Sequence, residues 1–311
     1  MNQGQEREEA GYHRPVLAGV VVELMAPVLP GVVVDATFGG GGHTRRMLDE
    51  FGDDVTVIAI DRDPEALANA AELRVTAIEG NFGDIDSLVE SVTDAPVSGV
   101  LFDFGVSSHQ LDEAERGFSY RHDGPLDMRM GPDAPITAHD IVNTWTAEDL
   151  ARIIRSYGEE PLARRIAGAI VVARPIETTS QLSTVIAQAM PAARRRAGHP
   201  ARRTFQAIRI AVNGELEAVG QGVEKAVDMV REGGRVVAIS YHSLEDRIVK
   251  QHFAERARGC TCPPELPVCG CGNAAEVRIL TRKAIRAGAE EIAVNNRARS
   301  AVLRAAEKVA A

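Results

Sequence analysis

Short apolar runs rich in β-branched residues recur along the first third of the chain, each followed by a more polar stretch. VVVDATF (32–38), VTVIAID (55–61), VTAIEG (75–80) and VSGVLFDFG (97–105) each read as a strand. Between them, His43 to Glu50, Pro64 to about Leu73 and Asp84 to Ser91 read as helices. Pro64 falls at a first helical position, where its missing N–H leaves no bond unmade. A short amphipathic helix, roughly Ala18 to Ala26, precedes the first strand. Strands alternating with helices of this length predict a parallel sheet covered on both faces.

The alternation stops near Ser107. Residues 106–135 are polar and rich in Gly, Pro and Asp. From about Thr137 to Ala218 only helical patterns follow, broken at Pro161, Pro175, Pro191 and Pro200. The first rhythm then resumes with a helix from about Glu215 to Arg231, a turn at Gly233-Gly234, the strand RVVAISY (235–241) and a helix over 243–257. The expected organisation is an α/β domain formed by 1–112 and 215–311, with an all-helical domain, 113–214, inserted after the fourth strand.

Composition narrows the partners. Lys plus Arg is 35 and Asp plus Glu is 44, a net charge of −9, with 45% hydrophobic residues. A chain this apolar can build a core and does not read as disordered. No apolar run approaches the roughly 20 residues of a membrane span. The polar, acidic start MNQGQEREEAGYHR lacks the features of a secretory leader, so a cytoplasmic protein is expected. The acidic balance argues against a general nucleic-acid binder, but not against an enzyme that meets RNA through one basic face.

The segment DATFGGGGHT (35–44) joins the first strand to the first helix of the rhythm. Its four glycines, Gly39 to Gly42, allow a sharp turn and close approach of a ligand to the backbone. The helix that follows offers unpaired N–H groups to an anion. Asp61 ends the second strand, where a carboxylate can accept bonds from ribose hydroxyls. On these residues alone, NAD and S-adenosylmethionine (SAM) are both live cofactors. The G-x-G-x-x-G spacing is not met cleanly, since its last place falls on Thr44, which favours SAM. Phe82, after the third strand, either packs on an adenine or is a core residue under the loop. Asp103 ends the fourth strand, at the edge where open α/β sheets bind ligands.

LFDFGVSSHQLDEAERGFSYRHDGPLDMRM (101–130) is the most specific stretch. With HRPVL (13–17), DATFGGGGHT (35–44), AIDRDP (59–64), HPARRTFQAIRIAVNGEL (199–216), GGRVVAISYHSLEDRIVK (233–250) and NNRARSAVLR (295–304), it resembles, in order, the bacterial 16S rRNA cytosine-N4 methyltransferases, the RsmH (formerly MraW) family. The resemblance implies a class I SAM-dependent methyltransferase fold, Rossmann-like and mostly parallel, carrying a helical insert that recognises RNA. It implies methyl transfer from SAM to the exocyclic N4 of a cytidine, position 1402 in conventional rRNA numbering, in the decoding centre. It places cofactor contacts on Gly41, Gly42, His43, Asp61, Phe82, Asp103 and Gln110. Phe104 stands where Leu is common in the family, and His109 where Pro is common.

The N4 lone pair is delocalised into the cytosine ring, so this amine needs orientation and an acceptor for its hydrogens. SAM carries its methyl on a cationic sulfur, so the chemistry requires no metal. Asp103 is the candidate acceptor, against the cofactor-binding role that the resemblance favours. His242, in SYHSLED (240–246), is the candidate proton relay or RNA contact. In the same motif, Ser243 and Asp246 are expected to cap the following helix. A flipped-out cytidine would need polar contacts, for which Ser107, Ser108 and Asn143 are candidates. Arg194, Arg195, Arg196, His199, Arg202 and Arg203 concentrate positive charge in the insert, which suits phosphate contacts; the resemblance implies that the partner is 16S rRNA, in the small ribosomal subunit or a late assembly intermediate. Arg297, Arg299 and Arg304 form a smaller basic group.

All four cysteines, Cys260, Cys262, Cys269 and Cys271, lie in CTCPPELPVCGC. Four thiolates in one loop suit a structural zinc, although C-x-C spacing is less usual than C-x₂-C, and free thiols or disulfides are the alternatives. An NAD enzyme leaves 101–130 and the basic insert unexplained. A non-catalytic assembly factor on the same fold, or a methyltransferase acting on DNA or protein amines, are the other rivals.

Overall fold

In a computed structural model of the chain, residues 15–195, 198–259, 262, 271 and 273–310 are described. The strands expected from the sequence form as β1 (Gly31–Asp35), β2 (Val55–Asp61), β3 (Val75–Glu79), β4 (Val97–Asp103) and β5 (Val230–Ser240). Three further strands, β6 (Val277–Ile279), β7 (Ile285–Arg286) and β8 (Val302–Lys308), complete one sheet in the order β3-β2-β1-β4-β5-β8-β6, with β7 also on β8. The first five strands are parallel and β8 is antiparallel to β5. This is the class I methyltransferase sheet.

Alternation along each central strand sends neighbours to opposite cores. Val33, Val57, Leu101 and Val237 enter one cluster; Val34, Ile58, Val100, Phe102 and Val236 enter the other. Burial on both faces is why β4 reads as an unbroken apolar run. β3, at the sheet edge, keeps several exposed residues. β5 begins five residues earlier than 235 at Val230, but its register with β4 shifts between Val97 and Gly99. Gly233, at φ 74°, makes the turn inside that irregular stretch. Regular pairing starts at Arg235 opposite Gly99.

Two compact units result: Met1–Gly105 with Leu216–Ala311, and Val106–Glu215. The first boundary lies at 105/106, ahead of the 112/113 expected. Val106, Leu111 and Phe118 pack with the helical core, so the polar segment belongs with the helices. The second unit is built on helices Ala138–Thr144, Ala147–Ser156, Ala163–Ala173, Thr179–Ala189 and Arg202–Asn213, among shorter ones. Asn213 ties a non-helical stretch to them: its amide accepts from the Met130 N–H at 2.8 Å and donates to the Met128 carbonyl at 2.8 Å.

Candidate functional site

The strand order brings the carboxyl ends of β3, β2, β1, β4 and β5 side by side, and most of the singled-out residues of this unit sit there. β1 ends at Asp35, after which Ala36 N–H bonds the Leu101 carbonyl at 2.9 Å and Phe38 N–H bonds the Ile60 carbonyl at 3.0 Å. These bonds pin the entry to the glycine loop. Gly41 has φ +71°, and a Cβ there would stand 2.8 Å from the Phe38 ring. Gly41 is therefore glycine for two reasons, one of backbone and one of space. A Cβ at Gly40 would meet nothing within 4 Å.

Asp61 is bound into the same loop. Its Oδ2 accepts from the Gly39 N–H at 2.7 Å and its Oδ1 from the Asp63 N–H at 2.9 Å. Burial pushes its carboxyl up to about 6, against the pull of those two N–H donors. Each oxygen keeps a second lone pair for a hydroxyl.

His43 opens the helix Gly42–Phe51 and is buried. Its Nε2 lies 3.4 Å from Asp103 Oδ2, and neither ring nitrogen makes a hydrogen bond among the described residues. Asp35, also buried, accepts from the Thr44 hydroxyl at 2.6 Å. Burial lowers the imidazole's affinity for a proton, but Asp103 and Asp35 outweigh it and raise His43 above its ordinary value. Burial likewise raises Asp35, with Thr44 and His43 opposing.

Asp103 is half-buried. Its N–H donates to Thr37 Oγ1 at 2.6 Å, and its Oδ1 accepts from the Tyr241 hydroxyl at 2.8 Å. Phe102 and Phe104, on either side of it, stack at 5.2 Å between centroids. Phe82 packs against both, at 5.7 and 5.6 Å. A Cβ at Gly222 would meet Phe82 at 2.9 Å, so the helix Glu215–Met229 closes one side of that ring. Phe82 thus packs against the core cluster and is only partly buried. These residues suit a cofactor such as SAM: an acceptor at Asp61, open backbone at Gly40, a partly bare ring at Phe82, and buried, unbonded nitrogens on His43.

A sequence profile of the MraW methylase family matches residues 10–309. The chain is 51% identical to ribosomal RNA small subunit methyltransferase H of Symbiobacterium thermophilum, covering 97% of this chain and 98% of the relative. It is 52% identical to the protein of that name from Geobacter sulfurreducens, covering 96% and 99%. The chain belongs to the MraW methylase family. A solved rRNA methylase structure from Streptococcus thermophilus is also similar, with TM-score 0.41 and 12% identity over 97% of this chain and 100% of its own.

The remaining expectations of this methylase fare unevenly. The capping box before helix Ser243–Arg256 is made by His242 and Glu245, one residue ahead of the Ser243 and Asp246 expected. His242 keeps extended backbone, φ −139°, so it, and not Ser243, is the capping residue. His242 Nδ1 accepts from the Glu245 N–H at 3.4 Å, and its Nε2 lies 3.0 Å from Glu245 Oε1. Asp246 instead holds Arg304 through two bonds, at 2.6 and 3.1 Å, which takes Arg304 out of the C-terminal basic group.

In the helical unit, Ser107 and Gln110 cap each other at 3.0 and 3.2 Å. The Asn143 amide donates to the His139 and Ile176 carbonyls and accepts from the Ile176 N–H, so it braces the chain at 176 rather than standing free for a base. Arg202 and Arg203 are exposed, but Arg203 donates to the Glu159 carbonyl at 2.9 Å. His199 stacks on Tyr120 at 4.2 Å. The side chains of Ser108, Arg194 and Arg195, and all of Arg196, Cys260 and Cys269, lie outside the described residues. The expected four-cysteine zinc site therefore falls largely outside them too.

Asp35, Thr37, Thr44 and Tyr241 were not among the residues singled out. A polar residue closing a buried strand just before a glycine loop is the signal that marks Asp35. Tyr241 stood inside the quoted SYHSLED motif, in the shadow of His242.

Proposed function

We propose that the protein is a SAM-dependent methyltransferase of small-subunit ribosomal RNA that methylates the N4 of cytidine 1402 in 16S rRNA. The observation that carries the reading is the polar cluster at the ends of β1, β2 and β4, in a chain whose half-identical relatives bear the name ribosomal RNA small subunit methyltransferase H. SAM, when bound, supplies a methyl on a cationic sulfur.

In this reading Asp61 accepts from the ribose hydroxyls, the Gly41–Gly42 backbone and His43 receive the methionine end, and Phe82 lies against the adenine. Gln110 is assigned to the cofactor from the resemblance alone. Asp103 is the acceptor for an N4 hydrogen or a further cofactor contact. The amine becomes a better nucleophile when one hydrogen is bonded to a carboxylate, and it gives up a proton once the N–C bond forms. His242 is the candidate to carry that proton onward. The helical unit supplies the RNA-docking face through its arginines. The setting is the cytoplasm, on the small subunit or a late assembly intermediate.

The test is to incubate the protein with radiolabelled SAM and small subunits from a strain lacking the gene, then map the labelled nucleoside. N4-methylcytidine at the decoding centre is the expected result. SAM binding by calorimetry with no label transferred would favour the non-catalytic assembly factor or a different methyl acceptor.

A further inference from the structure

Tyr241 has no part in the reading above, yet it touches the residue on which that reading turns. It follows Ser240, the last residue of β5, and its own N–H donates to Glu245 Oε2 at 2.8 Å. Glu245 is itself buried, 1% exposed, so the backbone carrying the tyrosine is anchored. The ring packs with the core cluster of Leu101, Ile239 and Leu303. From there its hydroxyl reaches Asp103 Oδ1 at 2.8 Å. Burial, then Asp103 and Glu245, raise the phenol well above its ordinary 10, with Arg297 pulling the other way. It therefore stays a donor at any working pH.

Two hydrogen bonds hold Asp103: Thr37 Oγ1 accepts from its backbone N–H, and the Tyr241 hydroxyl donates to Oδ1, while His43 Nε2 stands 3.4 Å from Oδ2 without bonding it. A carboxylate left half-exposed without such donors would turn about its Cβ–Cγ bond and share its lone pairs with water. We infer that Tyr241 is a positioning residue for Asp103, fixing the carboxylate in the one orientation that it presents to cofactor and acceptor amine. This rests on the proposed role of Asp103 and goes beyond it, because it assigns the task of holding that carboxylate to a residue just past the end of another strand.

A double-mutant cycle separates this from a packing role. SAM affinity by calorimetry and single-turnover methyl transfer to small subunits are measured for Y241F, D103N and the double variant. Phe keeps the ring and removes only the donor. Y241F is expected to lower whichever quantity D103N lowers, by about tenfold or more, the scale of a hydrogen bond to a charged group. In the D103N background it adds less than about twofold. Losses that multiply in the double variant, or a Y241F enzyme within about twofold of the parent in both quantities, would overturn the inference. If the parent transfers no methyl to subunits, the proposed function fails, and the cycle in SAM affinity still decides the role of Tyr241.

Discussion

At the scale of single residues, Asp61 and Gly41 carry the sharpest expectations. Asp61 titrates near 6, so a ribose diol would find an ionised acceptor at pH 7.5 and a largely protonated one at pH 5. SAM affinity should weaken as pH falls through about 6, and D61N should bind weakly with no such dependence. Calorimetry from pH 5 to 7.5 checks this; a flat parent curve refutes it. For folding the sign is opposite. A carboxyl raised by burial favours the folded state most at pH below its ordinary 3.8, and that contribution is lost as pH rises through about 6. Gly41→Ala forces a left-handed φ on an L-residue and drives its Cβ into Phe38. Urea denaturation should show a loss of at least about 1–2 kcal/mol. The glycine run and Asp61 were legible in the sequence because strand ends and glycine turns are local signals. Their coupling through the Gly39 N–H was not, since only the folded sheet brings positions 39 and 61 together.

At the scale of elements, the helix Ser243–Arg256 poses the question of what His242 does. Its imidazole is engaged with Glu245 as a cap. His242→Ala should cost about 1 kcal/mol of stability, while His242→Asn, a good capping residue, should return most of it. If methyl transfer returns with it, His242 serves the helix; if transfer stays low in a stable His242→Asn protein, His242 serves the chemistry. The sequence pointed one residue too far along because Ser-x-x-Asp fits the capping pattern better than His-x-x-Glu does. Propensity ranks residue types, whereas the chain's exit from β5 decides where helical backbone can begin. β8 escaped the sequence reading for a related reason. VLRAAEK has few β-branched residues, and its alanines are there because Ala305 and Ala306 are buried against opposite cores.

At the scale of the whole molecule, the charge is divided unevenly. A net −9 chain carries a cluster of arginines in its helical unit, Arg202 and Arg203 exposed among them. Affinity for small subunits should therefore fall by about tenfold or more between 50 and 200 mM salt, while SAM affinity stays within about twofold. Arg202→Ala should lower the slope of log affinity against log salt by about one. An unchanged slope in filter binding would remove Arg202 from the RNA face. The α/β and helical segments were both readable from period alone. Their first boundary was not, because residues 106–118 look like loop until Val106, Leu111 and Phe118 meet helices more than twenty positions on.

The position of β8 sets an order of events during synthesis. It lies between β5 on one side and β6 and β7 on the other, yet it is translated after all of them. Until residues 302–308 clear the ribosome's exit tunnel, β5 presents an open row of backbone donors and acceptors, the kind of edge on which nascent chains stick to one another. A transcript cut short before codon 302 would thus yield a chain with its glycine loop, Asp61 and Asp103 intact and its sheet unsealed. Such a product is a client for chaperones or proteases, and the cell would discard it for its exposed edge although every residue proposed for the chemistry is present.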